Sequence, residues 1–213
     1  MIRGSIRVGT TPSLARRVII PALPRFAARY PGINIDLHLS DAVIDLVQKR
    51  IDCVIRAGEP VPSSLIVRRI TRFQWYVCGS PDYLERHGEP VNIADLRKHV
   101  AVGYSDSRTG RSTDWIFRKG KEVTPLSMKE SVTVNDTDAY IAAGLAGLGL
   151  IRAASYLVHE HLSEGRLVRV LASLEASTDP LSVLYPQSRH LSPAVRTFID
   201  WCMEIIGREA KNW

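Results

Sequence analysis

The sequence lacks any apolar run of the roughly 20 residues that a membrane-spanning helix needs, because Arg, Pro or Gly interrupts each run sooner. It begins without the pattern of a secretory signal peptide, and strand-like sequence starts near Ile6. Cysteine is scarce: Cys53, Cys78 and Cys202 are odd in number, far apart and set in apolar stretches. This spacing predicts buried free thiols. We therefore expect a cytoplasmic protein with no membrane partner.

Aromatic residues are few, at 7% of the chain, and they do not interleave with the basic residues. The net charge of +6 and the pI near 9.4 leave open a surface that binds nucleic acid. The basic residues are dispersed, however, and no segment reads as a DNA-recognition helix. A solvated basic surface is the preferred interpretation of this charge.

Catalytic motifs are also missing. No serine occupies a G-x-S-x-G elbow, and "RKGKEV" has Glu122 where a phosphate loop needs Ser or Thr. The glycines of "GLAGLG" follow a helix instead of opening one, so they predict a helix stop. The six histidines show no metal-ligand spacing, and even His159 and His161 lie on different sides of a helix. We expect no enzyme activity, no cofactor and no metal site.

Strands and helices alternate along the whole chain, which predicts an α/β protein. The first 35 residues or so read as a βαβ unit, with a helix that we expect to break and restart near Pro21. A second helix is predicted in "DAVIDLVQKR", a strand in "LGLI" and a terminal helix capped by Ser192. "LIVRRITRFQWYVCG" reads either as two strands or as one long strand passing between two sheets. With the later run "LEASTDPLSVLY", it predicts two crossings between a discontinuous lobe I (1–72 plus 179–213) and lobe II (73–178).

Three segments share one arrangement, in which a strand ends, small polar residues follow and a helix begins. They contain Thr10, Thr11 and Ser13; Ser40 and Asp41; and Asn135, Asp136 and Thr137. A helix start presents unpaired N–H groups and the positive end of the helix dipole, which together can hold an anion. The same residue types are also the preferred helix caps. Asp41 and Asp136 fit capping better, whereas the first segment has more hydroxyls than one cap requires.

The order of these segments resembles the effector-binding region of LysR-type transcriptional regulators. The resemblance rests on "GSIRVGTTPSLARRVIIPALPRFAARYPGINIDLHLSD", "RIDCVIRAGEP", "CGSPDYLERHGEPVNIADLRKH", "AAGLAGLGLI", "EGRLVRVL" and "LSPAVRTFIDW", and it covers nearly the full chain. It implies two Rossmann-like lobes joined by two crossover strands, as in type II periplasmic binding proteins. A small effector would bind in the interlobe cleft and shift the population between two arrangements of the protein.

The resemblance also implies partners. An N-terminal winged helix-turn-helix, absent from this chain, would bind DNA in a full-length homotetramer, and this fragment would at most form a homodimer. The helix Arg16–Tyr30 is the candidate dimer surface, with exposed apolar residues as its test. The implied effector is a small molecule, and an aromatic or aliphatic carboxylate suits the hydroxyls and an arginine. The alternative function with the same architecture is a periplasmic-type solute-binding protein.

Matching the segments to the family places the effector contacts at the three helix starts and adds residues from lobe II. The full set is Thr10, Thr11, Ser13, Ser40, Asp41, Tyr104, Ser105, Asn135, Asp136, Thr137 and Arg152. The chain departs from the family pattern after "GLGLI", where Arg152 and Ala154 replace the usual residues. Arg152 either pairs with an acidic effector or makes a salt bridge on the surface or between the lobes, and both alternatives stay open.

Overall fold

A computed structural model describes residues 2–42, 46, 49–60, 64–107, 109–119, 122–172, 174, 177–187 and 191–213. The chain divides into two units. Unit 1 comprises Met1–Arg72 and Asp179–Trp213, and unit 2 comprises Phe73–Thr178. Both contain strands and helices, so the predicted α/β class is confirmed. Half of the helix predicted in "DAVIDLVQKR", namely residues 43–45, 47 and 48, lies outside the described residues.

The sheet of unit 1 has the strand order β2-β1-β3-β11. Its members are β1 (Gly4–Thr10), β2 (Ile33–Leu39), β3 (Cys53–Ala57) and β11 (Thr178–Pro186). β1 pairs in parallel with both β2 and β3, whereas β11 runs antiparallel to β3. The predicted βαβ unit is therefore confirmed. The carboxyl ends of β1, β2 and β3 meet at one edge of this sheet.

One continuous helical run connects β1 to β2. It consists of α1 (Pro12–Leu14), a π-helical turn (Ala15–Ile19) and α2 (Ile20–Arg29). The expected restart near Pro21 is confirmed, since α2 begins at Ile20. The expected break before it is wrong, because the backbone stays helical through Ile19 and Ile20. Ile20 donates its N–H to the carbonyl of Ala15, five residues back. Pro21, which has no N–H to donate, thus directly follows the change from π-helical to α-helical hydrogen bonding. A helix tolerates a proline at such a change.

Unit 1 is completed by α6 (Pro193–Glu209), followed by a 3-10 helix at Ala210–Asn212. The predicted cap is confirmed, since Ser192 accepts a hydrogen bond from the Val195 N–H at 3.2 Å. Phe26 of α2 packs against two rings of α6, with centroid distances of 5.6 Å to Phe198 and 4.8 Å to Trp201. Such aromatic pairs stabilise a core beyond the area they bury. They hold α2 and α6 side by side.

One sheet of unit 2 is built on the end of β4 (Leu65–Gly79), a single 15-residue strand. The alternative of one long strand is therefore the correct one. β9 (Ile151–Ala154) and β10 (Val168–Val170) pair antiparallel with it. The strand predicted in "LGLI" is displaced to β9, because Leu148 follows Gly147 at φ 71° and Leu150 makes only an isolated bridge to Ala101. A residue in the left-handed region ends the helix, and the next strand therefore begins a few residues later.

The other strands of unit 2 form two pairs. β5 (Val100–Tyr104) is parallel to β8 (Lys129–Val134), and β6 (Trp115–Lys119) forms a hairpin with β7 (Glu122–Leu126) that the sequence did not reveal. The helices are α3 (Pro81–His87), α4 (Thr137–Leu145) and α5 (Ser155–Ser163). The segment Ile93–Lys98 is a 3-10 helix, and it begins with a capping box between Asn92 and Asp95.

All three cysteines are free and buried, as predicted. Burial raises the pKa of the Cys53 thiol and of the Cys78 thiol to about 12 in each case, so neither is a reactive thiolate near neutral pH. No helix within the described residues has the length and hydropathy that crossing a bilayer requires.

A buried histidine lies in the core of unit 2. His99 is 6% exposed, and its Nδ1 lies 3.3 Å from the hydroxyl of Tyr83, whose ring also stacks on His87. Desolvation lowers the pKa of His99, the positive charges of His87 and Lys98 lower it further, and Asp95 opposes them. His99 is therefore neutral in the folded protein at pH values where the unfolded chain begins to protonate it.

We predict that the free energy of unfolding falls as the pH drops from about 7 to about 5, and that His99→Gln reduces this fall. The unfolded chain binds a proton at His99 near its ordinary pKa, whereas the folded protein resists protonation until lower pH. Urea denaturation across this range measures the difference. Parallel pH profiles for the wild type and the variant would contradict the assignment to His99.

Candidate functional site

The polar residues of unit 1 meet at the carboxyl ends of its parallel strands, and we call Thr10, Thr11, Ser13, Ser40 and Asp41 the unit 1 edge. Thr10 ends β1, and its carbonyl accepts the Ser40 N–H at 2.9 Å. Thr11 begins the helical run as its N-cap. The structure thus brings the first two predicted segments together.

The hydroxyls of the unit 1 edge have different partners. Thr11 Oγ1 accepts from the Leu14 N–H at 3.3 Å and lies 3.3 Å from Ser13 Oγ. Ser40 Oγ accepts from the Ala42 N–H at 3.1 Å. Thr11 alone therefore caps the helix, as expected, and Ser13 is buried beside it. These contacts fix the side chains in place before any ligand arrives.

Thr10 is the exception. It is 1% exposed, and its Oγ1 has no hydrogen-bond partner in the described structure. A buried hydroxyl without a partner costs about 1–3 kcal/mol. Buried polar groups without a hydrogen-bond partner are rare in native proteins. Where one occurs, a ligand or an ordered water often supplies the missing partner.

An arginine that the sequence analysis missed lies at the same edge. Arg56, near the end of β3, donates to the carbonyls of Asp41 and Ala42 at 2.8 and 2.7 Å. It holds the turn that follows β2 and adds a positive charge at the strand ends. A cation near the end of the otherwise apolar strand "CVIRA" was the signal available in the sequence.

The second group of predicted residues lies in unit 2, and we call Tyr104, Ser105, Asn135, Asp136, Thr137 and Arg152 the unit 2 edge. Tyr104 ends β5, and the Ser105 N–H donates to the carbonyl of Val134 at 2.8 Å. The hydroxyls of Tyr104 and Thr137 are 3.4 Å apart. Asp136 accepts from the Ala139 N–H at 2.8 Å, which confirms its interpretation as a cap. Asn135 is exposed.

Arg152 stands on β9 with contacts inside unit 2. Its guanidinium carbon is 4.6 Å from the ring centroid of Trp75, and it donates to Ser177 Oγ at 2.7 Å. Its backbone N–H donates to the hydroxyl of Tyr140 at 2.9 Å, and the Tyr140 ring meets that of Tyr104 edge-on at 5.5 Å. Desolvation raises the pKa of Tyr140, so its hydroxyl stays neutral. Tyr140 links Arg152 to Tyr104, and nothing in its apolar helix marked it in advance.

A carboxylate also lies close to the unit 2 edge. Glu130 accepts hydrogen bonds from Ser112 and Thr133, each at 2.7 Å. Its carboxylate fills the space beside Gly103, so that any side chain at position 103 would collide with it. A negative charge here disfavours a second anion nearby. Within the described residues, no three His, Cys, Asp or Glu side chains are grouped so as to hold a metal ion.

Comparisons with known proteins agree on one family. The profile of the LysR substrate binding domain matches residues 1–206. The chain is 34% identical to the HTH-type transcriptional regulator YhjC of Escherichia coli K12 over 94% of its length, and 35% identical to an HTH-type transcriptional repressor of Pseudomonas aeruginosa over 96%. It spans 67% and 64% of those two proteins, about two thirds of their length.

The regulatory domain of CrgA, a LysR-type transcriptional regulator from Neisseria meningitidis, is similar in structure. It superimposes with a TM-score of 0.82 at 25% identity, covering 95% of this chain and 98% of that domain. This likeness confirms the α/β fold of the type II periplasmic-binding-protein kind. The relatives are transcriptional regulators, and the alternative of a solute-binding protein finds no support among them.

We predict that Thr10→Val raises the free energy of unfolding of the ligand-free protein by about 1 kcal/mol, because a methyl group replaces the unpartnered hydroxyl. Thr11→Val should instead lower it by about 1 kcal/mol through loss of the helix cap. Urea denaturation measures both changes.

Ser182→Ala is the matched control. Ser182 is also 1% exposed, and its Oγ also lacks a partner in the described structure, but it lies on β11. Its removal should likewise be stabilising or neutral. Destabilisation by Thr10→Val as large as that by Thr11→Val would show that the Thr10 hydroxyl has a structural partner.

Proposed function

Because the chain belongs to the LysR substrate-binding domain family, as the effector-binding domain of a LysR-type transcriptional regulator, we propose that it senses a small carboxylate whose anionic group binds at the unit 1 edge. The observation that carries this proposal is the buried Thr10 hydroxyl without a partner. It offers a hydrogen bond to a carboxylate oxygen at no further cost in desolvation. The function is binding and signalling, not catalysis.

The charges favour this location for the anion. The unit 1 edge combines the start of an 18-residue helical stretch, Pro12–Arg29, with the guanidinium of Arg56. Both place positive potential near Thr10, and they have to outweigh the negative charge of Asp41 at the same edge. Glu130 makes the unit 2 edge less suitable for an anion. At the unit 2 edge, the hydroxyls of Tyr104, Ser105 and Thr137 suit uncharged or hydroxyl-bearing groups of a ligand, and Arg152 is a cation there that Trp75 and Ser177 already contact.

Signalling follows from differential affinity. An effector that binds one conformation of the domain more tightly shifts the population toward it, by no more than the difference in binding free energy. In the full-length protein, an N-terminal winged helix-turn-helix would carry that shift to DNA, with four copies in the active assembly. We place this regulator in the cytoplasm.

We predict that a thermal-shift screen against aromatic and aliphatic carboxylates yields a ligand, since one at 100 times its Kd adds about 2.7 kcal/mol to stability. Titration calorimetry of that ligand should show binding weakened roughly tenfold by Thr10→Val and by Arg56→Gln, through loss of one hydrogen bond and one charge.

One control accompanies these variants. Arg68→Gln removes a surface arginine that pairs with Asp200 at 2.9 Å and lies outside the unit 1 edge. It should not change the Kd. Arg152→Gln decides between the two interpretations of Arg152, because only an effector contact weakens binding. A ligand that binds equally to Thr10→Val and Arg56→Gln and to the wild type would contradict the proposed site.

The homodimer proposed for this fragment has a candidate surface on α2. Ile20 is 43% exposed, and Pro24 and Ala27 beside it are also exposed, so that three apolar residues lie together on the surface of one helix. An apolar patch of this kind gains free energy when a partner covers it. The helical run thus supplies the exposed apolar residues expected of a dimer surface.

We predict that Ile20→Glu weakens the dimer at least about tenfold, because burying a charge without a partner opposes association. Sedimentation equilibrium measures the dissociation constant. Val91→Glu is the control, since Val91 is 73% exposed in unit 2 and outside the proposed surface. A wild-type domain that stays monomeric at high concentration, or equal effects of both substitutions, would contradict the proposal.

A further inference from the structure

A groove of about 450 Å³ lies between the helical run and α6 in unit 1. Its volume falls within the range of about 300–1,000 Å³ that is typical of small-molecule sites. The groove is separate from the unit 1 edge: none of its lining residues belongs to that edge. An effector bound at the unit 1 edge would therefore leave the groove open.

The base of the groove is apolar and held in place. It includes Val18 and Trp201, which are 7% and 8% exposed. The indole of Trp201 packs against Phe26 at 4.8 Å and Phe198 at 5.5 Å, so its position is fixed by the core of unit 1. A fixed aromatic surface at the base of a groove suits the flat or apolar body of an organic molecule.

The sides of the groove carry mainly positive charge. Arg17, Arg25 and Arg29 line one side, and Arg208 lines the other. Of the two glutamates present, Glu204 already binds Arg208 within α6 at 2.9 Å. Arg25 pairs with no carboxylate among the described residues. The groove therefore has unneutralised positive charge above an apolar base.

We propose that this groove is a second ligand site, for a small amphipathic anion whose apolar body lies on Trp201 and whose carboxylate or sulfonate meets Arg25 and Arg29. The guanidinium geometry matches such anions. A second copy of the chain is the less favourable occupant, because a symmetric contact at this groove would place two basic surfaces against each other. The exposed Ile20, Pro24 and Ala27 lie on a different side of α2, so the groove and the proposed dimer surface are distinct.

The test uses 8-anilinonaphthalene-1-sulfonate, an amphipathic anion, in a fluorescence titration of the folded domain. We expect saturable binding of one molecule per chain. The double variant Arg25→Gln/Arg29→Gln should weaken it at least about tenfold, as should Ala22→Trp, which fills the groove without changing the charge. A partly unfolded variant would bind more dye, not less, and circular dichroism of each variant excludes complete unfolding as the cause of weaker binding.

Two controls distinguish this site from general attraction and from the effector site. Arg16→Gln/Arg68→Gln removes the same charge from unit 1 outside the groove, and it should leave the Kd within about twofold. Thr10→Val should leave it unchanged. The proposal is overturned by absence of saturable binding, by equal weakening in both arginine double variants, or by loss of dye binding in Thr10→Val.

Discussion

β1 lies between β2 and β3 and pairs in parallel with both, and this pairing determines where the polar side chains of unit 1 meet. Parallel strands end at the same edge, so the side chains that follow them converge without any long-range signal in the sequence. The backbone bond from Ser40 to Thr10 joins two of these ends directly. The same geometry buries the Thr10 hydroxyl without a hydrogen-bond partner in the described structure. This unsatisfied hydroxyl is the strongest structural support for the effector site proposed at the unit 1 edge.

The charges near the strand ends differ between the two units. Arg56 binds two carbonyls of the turn after β2 and keeps its positive charge close to the unit 1 edge. Glu130, held by two hydroxyls beside the bare Cα of Gly103, gives unit 2 a negative charge. Arg152 has a cation–π contact with Trp75 and a hydrogen bond to Ser177, so an effector has to compete for it. Arg56 thus favours an anion at the unit 1 edge, whereas Glu130 disfavours one at the unit 2 edge.

Three of the proposed interaction surfaces lie along the helical run after β1. Its start lies at the unit 1 edge, Ile20 lies on the exposed apolar side, and Arg17, Arg25 and Arg29 line the basic groove. The π-helical turn keeps the run continuous through Pro21, and a break there would have separated the start from the other two sides. Phe26 anchors the run to Phe198 and Trp201 of α6, so all three sides are held by one core.

The amino-acid sequence by itself determined the α/β class, the parallel β1–β2 pairing, the caps at Ser192 and Asp136, the free thiols and the LysR family. These features depend on local periodicity, on residues adjacent in the chain, or on the order of whole segments. It did not determine the continuity of the helix at Pro21, the position of β9 or the pairing of β6 with β7. In these segments, tertiary packing overrode the local secondary-structure preferences. Only the tertiary structure revealed the unpartnered Thr10 hydroxyl, the role of Arg56, the Glu130 carboxylate and the arginine groove. Each of these depends on residues far apart in the chain, and no local pattern records whether a buried group finds a partner in space.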